Sequence, residues 1–422
     1  MKFLLATWGS SGDLHPFLSL GAELVRRGHS VKLVGLDSWA DRVRSTGMEF
    51  VPSGSDVQLE EMKRHPEVFS PRNLGLTSLR ALMRDFVAPS FAPMAGAMID
   101  AAKDCDCLVS HSFVLVSPLV AEKTGVRFAS VSLAPGVIPS RCSMPSGALL
   151  DPFRGVVGEW INRGIWQIGK WMSRPSVDPM LNEFRASQGL PPVKDAIFTS
   201  VSRELHLQLY SKNFAPPEPD WHPSLKQAGF CFWDEPESWT PPGELLRFLE
   251  AGPKPILFTL GTSAIFSPMG FYEAAAQAVR GTGHRAILLT GLAENAPRDL
   301  PPEVLAVNYA PYGWIMPRCA AVSHQCGIGT SSQALRAGLP SILCPYAFDQ
   351  PNNAMRIQGL GAGVVLPRNR RGPEDLRVAI GRIMGEPGFR QSAGKIARGI
   401  AAENGPSVAA DELERFVKKK TS

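Results

Sequence analysis

The stretch WGSSGDLHPFLSLGAEL, residues 8–24, joins a short apolar run to a pattern that predicts a helix. Leu14, Phe17 and Leu18 recur at helical spacing, and the preceding FLLAT predicts a buried strand. A glycine-bracketed turn between a strand and a helix usually binds a phosphate. Asp13, however, places a carboxylate where the anion would lie. Either the loop is not a phosphate site, or Asp13 has chemistry of its own.

The strand–loop–helix order of this stretch recurs along the 422 residues, which is typical of βαβ units around parallel sheets. The predicted strands of the first half are KFLLATW, SVKLVG, MEFVPSG, CDCLVSH and RFASVSLAP. Those of the second half are PILFTLGTS, RAILLTG, VLAVNYA, CAAVSHQ, PSILCPY and GAGVVLP. We therefore predict two similar α/β domains with the ligand site in the cleft between them.

Proline and acidic residues concentrate between about Ala215 and Pro253, a composition typical of an inter-domain linker. We predict an N-terminal domain at 1–220, a linker at 221–253 and a C-terminal domain at 254–400. A C-terminal helix is expected at 401–422, placed so that it can return to the N-terminal domain.

Composition limits the class of protein. The chain is 44% apolar and 20% charged, as in globular proteins. Its net charge is only +5, with one dense cationic run, FVKKK at 416–420, which argues against nucleic acid as the main partner. Seven cysteines without a CxxC pair or zinc pattern favour reduced thiols in a cytoplasmic protein and predict no metal site. The N-terminal apolar run is too short for a secretory signal, and no run reaches transmembrane length.

The stretch FRGVVGEWINRGIWQIGKWM, residues 153–172, predicts an amphipathic helix. One face of that helix carries apolar residues: Val157, Trp160, Ile161, Ile165, Ile168, Trp171 and Met172. Arg163 and Lys170 lie opposite, together with Trp166. The first interpretation is that the apolar face packs on a domain. The second is that it forms the lip of a pocket for apolar substrates, or contacts a membrane surface.

A phosphate site is predicted in SHQCGIGTSSQALRAGLP, residues 323–340, which follows a predicted strand and opens a helix. Gly327 and Gly329 allow close approach to the backbone, and the first N–H groups of a helix lack intrahelical partners. These donors, the helix dipole and the hydroxyls of Thr330 and Ser331 suit a diphosphate. A simple tight turn is the alternative for so short a glycine pattern.

A hydroxyl-binding pair is predicted in PYAFDQPNNAMR, where Asp349 and Gln350 follow the next strand. A carboxylate accepts hydrogen bonds from hydroxyls, and a neighbouring amide both donates and accepts. The alternative is a helix cap, since these residue types suit a helix start. A phosphate site and a hydroxyl site after successive strands together predict a nucleotide-sugar pocket.

These motifs resemble those of a known family. Residues 9–31 resemble the N-terminal signature of GT-B glycosyltransferases of the antibiotic, sterol and rhamnolipid type. Residues 324–354 are similar to their C-terminal donor-binding signature. Within this family, the sequence most resembles the rhamnosyltransferase of rhamnolipid synthesis. The resemblance implies an α/β fold of two Rossmann-like domains whose parallel sheets face each other across a cleft. The first domain then binds the acceptor and the second the nucleotide sugar.

The resemblance also implies an activity: inverting transfer of a hexosyl or deoxyhexosyl group from a UDP- or dTDP-sugar to a hydroxyl of a hydrophobic acceptor such as a lipid, polyketide or flavonoid. No metal or other cofactor is expected. Asp13 stands at the position of the catalytic base, and His111, after the strand CDCLVS, is a second candidate. The alternative for Asp13 is that it caps the helix that begins near Leu14, a role that can coexist with catalysis. The positions that correspond to donor contacts are Gly12, Thr262, Ser263, Gln325, Gly327, Gly329, Thr330, Ser331, Gln333, Asp349 and Gln350.

Some of these positions depart from the family pattern. Gln325, 24 residues before Asp349, stands where the family has a phosphate-binding histidine, and His324 lies one place earlier. A neutral amide is a weaker phosphate ligand than a cation. Cys326 replaces a glycine. Gln333 stands where relatives often hold the ribose with an acid, so uridine and thymidine donors both remain candidates.

Three other functions compete with transfer. A nucleotide-sugar epimerase would need no acceptor, so product analysis separates the two. A dinucleotide oxidoreductase is disfavoured because GSSGDL lacks the GxGxxG pattern. A non-catalytic partner of another glycosyltransferase would not need Asp13, Asp349 and Gln350 together.

Overall fold

A computed structural model of the chain describes residues 1–54, 65, 76–145, 152–234, 239–262 and 264–419. Its strands form two sheets. The first contains β1 (Lys2–Ala6), β2 (Ser30–Gly35), β3 (Glu49–Pro52), β4 (Cys107–His111), β5 (Arg127–Ser132), β6 (Leu205–Gln208) and β7 (Leu225–Gln227). The second contains β8 (Ile256–Thr259), β9 (Ala286–Leu289), β10 (Val304–Val307), β11 (Ala321–His324), β12 (Ser341–Leu343) and β13 (Gly363–Val365).

Helices separate most of these strands and cover both sheets. They are α1 (Ser11–Arg26), α2 (Ala40–Arg44), α3 (Leu76–Leu82), α4 (Phe91–Ala102), α5 (Ser117–Thr124), α6 (Gly155–Ser187), α7 (Ala196–Thr199), α8 (Gly243–Glu250), α9 (Phe271–Val279), α10 (Tyr312–Ile315), α11 (Ile328–Arg336), α12 (Gln350–Gly359), α13 (Pro373–Gly385), α14 (Pro387–Ala401) and α15 (Gly405–Lys418).

Both sheets are parallel and doubly wound, which confirms the predicted fold class. The first has the order β3-β2-β1-β4-β5-β6-β7, and the second has β10-β9-β8-β11-β12-β13. The chain reverses its direction of travel between β1 and β4, and again between β8 and β11. In such sheets ligands bind beyond the carboxyl ends of the strands at this switch point. The loops that follow these four strands are therefore the expected site.

Strand β1 is apolar on both sides because helices cover both faces of its sheet. Phe3 and Leu5 lie in one core with Phe17 of α1, whereas Leu4 lies in another with Met98 of α4. All of these side chains are fully buried, and each contributes about 1.5–3 kcal/mol through the hydrophobic effect. The strand end that carries the Asp13 loop is thus rigidly held.

The linker predicted at 221–253 is too long, because parts of this range belong to the two domains. Strand β7 lies inside that range and joins the N-terminal sheet. Helix α8 also lies inside it, and its Leu245 packs in the core of the C-terminal sheet. A strand of three residues has too little periodicity to be seen in sequence.

The C-terminal helix α15 lies on the N-terminal domain. Leu413 and Phe416 belong to the core that covers β1 and α1. The Arg27 guanidinium contacts Asp411 at 2.6 Å and Glu414 at 3.1 Å. These contacts tie the two ends of the chain together.

Helix α6 contains the amphipathic stretch, but the packing interpretation of its apolar face is wrong. Trp160 and Trp171 are 66% and 69% exposed, whereas Trp166, expected on the opposite face, is buried. The Trp166 indole donates to the Ser143 carbonyl at 2.8 Å. Buried Asn162 donates to the carbonyls of Arg141 and Phe153. The first half of the helix therefore packs through residues that hydrogen-bond the preceding loop, and hydrophobicity alone does not reveal them. Its second half packs through apolar side chains such as Val177 and Leu181.

Candidate active site

Asp13 sits in the first turn of α1, directly beyond the carboxyl end of β1. Ser10 is the N-cap of this helix, and its hydroxyl accepts from Gly12 N–H at 3.2 Å. The Asp13 carboxylate reciprocates: Oδ2 accepts from Ser10 N–H at 2.7 Å and from the Ser10 hydroxyl at 3.0 Å. This is a capping box. Both of these hydrogen bonds from Ser10 are accepted by the same carboxylate oxygen, Oδ2.

Gly9 makes room for this arrangement. Its φ of +132° is a conformation that L side chains rarely adopt, and a Cβ at this position would lie 2.3 Å from Asp13 Oδ2. Any side chain at position 9 would therefore displace the carboxylate.

We expect Gly9→Ala to lower kcat/KM roughly 10–100-fold, because small displacements of a catalytic group are costly. Gly28→Ala is the matched control, since Gly28 also has a positive φ (+82°) but nothing within 4 Å of a Cβ. Steady-state kinetics of both variants separate displacement of Asp13 from backbone strain. Equal losses in the two variants would contradict the role given to Gly9.

His111 ends β4, the strand beside β1, and its ring is buried. The ring centroid lies 5.5 Å from that of Phe113 and 6.3 Å from that of Phe17. Burial lowers the pKa of His111, while the charge of Asp13 and a hydrogen bond with the Trp8 backbone oppose that shift. Its Nδ1 has no hydrogen-bond partner among the described residues. Burial thus favours the neutral form of His111, and Asp13 is near enough for its charge to oppose that effect.

The predicted phosphate loop lies directly opposite the Asp13 loop. Helix α11 begins at Ile328 after Gly327, and its first intrahelical bond runs from Ser331 N–H to the Gly327 carbonyl. The preceding N–H groups of Ile328, Gly329 and Thr330 therefore have no intrahelical partner. A Cβ on Gly329 would lie 3.4 Å from Gly12 Cα, so the first turns of α1 and α11 nearly touch.

A polar network positions the other side of this loop. Gln325 is buried, and its Nε2 donates to the Thr330 hydroxyl at 3.4 Å. The Tyr312 hydroxyl bonds to Thr259 at 2.8 Å and also to Thr330. A Cβ on Gly261, whose φ is +64°, would lie 2.0 Å from Gln325 Nε2. Tyr312 and Thr259 were not predicted as site residues, although Tyr312 lies in the segment just upstream of the donor signature.

His324 has no accessible surface to offer a diphosphate. It is completely buried, burial lowers its pKa to about 3, and its Nδ1 accepts from Cys326 N–H at 3.1 Å. Cys326 adopts a φ of +70°, a conformation that favours glycine. Of the two neighbours, Gln325 is the one that contacts the loop of Thr330.

Asp349 lies at the start of α12, beyond β12, and its carboxylate is not a cap of that helix. Oδ2 accepts from Asn353 Nδ2 at 2.7 Å, and the carboxylate also accepts from Ile328 N–H at the start of α11. Burial raises the pKa of Asp349 to about 6; the Asn353 bond opposes the shift, and the charge of Asp13 adds to it. The carboxylates of Asp13 and Asp349 are thus close enough to repel each other. Asn353 was not predicted, although it stands one helical turn after Asp349.

Gln350 differs from the expectation that its amide both donates and accepts toward a ligand. It is buried, and its Oε1 already accepts from the backbone N–H groups of Tyr346 and Ala347, at 2.7 and 3.0 Å. Only its Nε2 remains to donate outward.

The remaining predicted donor contacts differ in how far they are exposed. Thr262 is exposed and Gln333 half-buried on α11, one turn after Gly329. Ser331 is completely buried, so its hydroxyl offers no surface to a ligand. Ser263 lies outside the described residues.

The described part of the chain contains neither a metal-binding cluster nor a membrane-spanning helix. Within it, no group of three or more His, Cys, Asp or Glu side chains could hold a metal ion. None of the helices described there is long and apolar enough to cross a bilayer.

Two family models match the chain. The glycosyltransferase family 28 N-terminal domain matches residues 3–96, and the erythromycin biosynthesis protein CIII-like C-terminal domain matches residues 284–416. The two matches fall on the β1–α1 loop and on the α11–α12 region, respectively. They therefore cover both sides of the cleft.

Whole-chain comparisons agree with these models. The chain is 31% identical to O-mycaminosyltylonolide 6-deoxyallosyltransferase of Streptomyces fradiae, over 100% of this chain and 99% of that protein. It is 25% identical to a sterol 3-beta-glucosyltransferase of Arabidopsis thaliana, over 99% of this chain and 68% of that protein. The structure of the glycosyltransferase VinC in complex with dTDP shares the fold, with a TM-score of 0.68 at 18% identity and coverage of 99% of this chain and 100% of VinC. The chain therefore belongs to the GT-B family of nucleotide-sugar-dependent glycosyltransferases that contains the antibiotic and sterol enzymes.

Proposed function

We propose that this chain transfers a hexosyl or deoxyhexosyl group, with inversion and without a metal, from a dTDP- or UDP-sugar to a hydroxyl of a hydrophobic acceptor. One observation carries the proposal. Asp13, held through Oδ2, faces the first turn of α11 and the Asp349 carboxylate across the cleft. A base and a leaving-group site thus lie on opposite walls.

In the proposed reaction the acceptor oxygen attacks the anomeric carbon while its proton passes to Asp13 Oδ1. The bond from that carbon to the diphosphate oxygen breaks, and the diphosphate leaves with the electron pair. Attack from the wall of α1 and departure toward the wall of α11 invert the anomeric configuration. A carboxylate is a weak base, so proton transfer comes late and positioning supplies much of the acceleration.

The leaving diphosphate would be stabilised by the start of α11. The N–H groups of Gly329 and Thr330 and the α11 dipole favour negative charge there. The Thr330 hydroxyl, held by Gln325 and Tyr312, adds a further donor. Asp349 would accept from a sugar hydroxyl, and Gln350 Nε2 would donate to one.

The preference for a hydrophobic acceptor rests on a cluster of aromatic side chains contributed by both domains. Trp8 of the N-terminal domain and Phe266 and Phe348 of the C-terminal domain pack against Phe86. Phe113, beside His111, is 39% exposed. Aromatic surfaces of this size favour binding of apolar ligands. The two curated relatives carry names that refer to a tylonolide derivative and to sterols.

Thermal shift with nucleotides tests the donor half of the proposal. A ligand at a hundred times its dissociation constant adds roughly 2.7 kcal/mol of stability, or several degrees of Tm. We expect dTDP and UDP to raise Tm, and GDP, CDP and NAD to leave it unchanged. A response to NAD alone, or to none of the five, would contradict a nucleotide-sugar site.

Gln333→Glu refines this test. A glutamate at this position of α11 would accept from a ribose 2′-hydroxyl, which UDP has and dTDP lacks. The variant is therefore expected to favour UDP over dTDP more than the wild type does. If the ratio of UDP affinity to dTDP affinity were the same in both proteins, residue 333 would not contact the ribose.

A further inference from the structure

The solvent side of α6 carries an unusual amount of apolar surface. We define the α6 face as Val156, Val157, Trp160, Ile161, Ile168, Trp171 and Met172; these side chains are between 39% and 74% exposed. Single exposed apolar residues are normal, but a contiguous set of this kind marks an interaction site. The candidate active site does not use any of these residues.

The α6 face is one continuous strip. At 100° per residue its seven side chains fall within an arc of roughly 160°. Buried Asn162 and Trp166 lie on the opposite side and anchor the helix to the loop before it. The strip therefore points straight away from the domain. Trp160 and Trp171 stand about 16 Å apart along the axis, so the whole strip can meet a flat surface at once.

Cations border the strip. Arg163 and half-buried Lys170 lie at one margin, and exposed Arg154 precedes the first turn of the helix. The Arg163 guanidinium lies 5.6 Å from the Trp160 ring. The one acidic side chain within residues 154–172, Glu159, already lies 4.0 Å from Arg141. An apolar face with tryptophans and a cationic margin is the pattern of a helix that lies in a membrane interface.

We propose that the α6 face docks on an anionic lipid surface, with α6 lying in the plane of the headgroups. The apolar side chains enter the acyl boundary, and Arg154, Arg163 and Lys170 contact lipid phosphates. A second copy of the chain fits less well, because two-fold pairing of this face would bring cationic margins together in an apolar contact. The proposal goes beyond glycosyl transfer and does not depend on it.

Co-sedimentation of the full chain with vesicles tests the proposal. We expect binding to phosphatidylcholine vesicles with 30% phosphatidylglycerol, chosen as an anionic probe, and clearly weaker binding to pure phosphatidylcholine. Trp160→Ser combined with Trp171→Ser should reduce partitioning at least about tenfold. Arg163→Glu combined with Lys170→Glu should reduce it roughly tenfold or more on anionic vesicles only.

Val378→Ser combined with Val408→Ser is the matched control, since these side chains are 57% and 38% exposed elsewhere on the surface. It should bind vesicles like the wild type. The proposal is overturned if the wild type does not sediment with anionic vesicles, or if the double tryptophan variant still does. It is also overturned if light scattering shows a wild-type dimer that the tryptophan variant dissociates, because a second copy then covers the face.

Discussion

Asp13→Asn is expected to lower kcat by roughly 10²–10⁴-fold, the usual contribution of a general base, while donor affinity stays nearly unchanged. The reason is that the Asp13 carboxylate has two functions, a structural one in the capping box and the proposed one as a base. Oδ2 completes the capping box with Ser10. An asparagine oxygen can still accept from Ser10 N–H and preserve the helix start, but an amide cannot take the acceptor's proton.

Two measurements isolate that loss. The Tm shift produced by dTDP or UDP reports the donor site and should be unchanged, whereas product formation with a hydroxyl acceptor should fall. Ser10→Ala is the structural control: it removes the N-cap hydroxyl, costs about 1 kcal/mol of stability, and retains the base. If Asp13→Asn kept most of its turnover, the base would lie elsewhere, with His111 as the next side chain to replace.

Much of the fold can be read from the sequence because its helices and central strands have clear periodicities. The FLLAT run and the spacing of Leu14, Phe17 and Leu18 predict β1 and α1, and both are observed. Strands β6 and β7 are different. β6 carries His206 and Gln208, which are polar but buried, and the His206 ring bonds to Ser132 at 2.8 Å. Hydrophobic patterning overlooks strands that bury polar residues inside the protein.

The prediction that the apolar side of α6 packs on the domain is wrong for a related reason. A helical wheel finds its apolar strip but does not say which side a domain covers. The buried side was chosen by hydrogen bonds from Asn162 and Trp166 to the preceding loop. Such pairings join residues that are distant in sequence, so they follow only from the three-dimensional structure.

Site residues show the same limit. The motif positions bring Asp13, Thr330 and Asp349 to one cleft, as the topology requires. The direction of each side chain depends on local backbone bonds instead. Gln350 turns its oxygen to Tyr346 N–H and Ala347 N–H, and His324 accepts from Cys326 N–H. The supporting partners Tyr312 and Asn353 emerge only when these bonds are seen.

Asp349→Asn should make the protein more stable and the enzyme slower. Burial raises the pKa of Asp349 to about 6, from an ordinary value of 3.8. The folded state thus holds the proton more tightly than the unfolded chain, so this carboxyl lowers stability as pH rises from about 4 to about 6. The cost persists above pH 6. Asparagine carries no charge, and we expect it to add about 1–3 kcal/mol to the free energy of unfolding at pH 7–8.

The stability difference between wild type and variant should shrink as pH falls through about 6 and close near pH 4. Urea unfolding across this range measures it. Asn353→Ala is the companion variant: it removes the hydrogen bond that opposes the shift, so the pKa of Asp349 should rise further. As pH is lowered, the free energy of unfolding of this variant should therefore begin to rise at a higher pH than that of the wild type.

Asp349→Asn should lower catalytic efficiency although it raises stability. A hydrogen bond from a sugar hydroxyl to a carboxylate is worth about 1.5–3 kcal/mol, so Asp349→Asn should lower kcat/KM for the donor roughly 10–150-fold at pH 8. Wild-type kcat/KM should decline below about pH 6 as Asp349 is protonated, and the variant should lack that limb. A variant that is neither stabilised nor slowed would contradict both the buried charge and the sugar contact. Stabilisation together with a slower reaction would mean that the chain retains a destabilising carboxylate at this position because the donor sugar requires its charge.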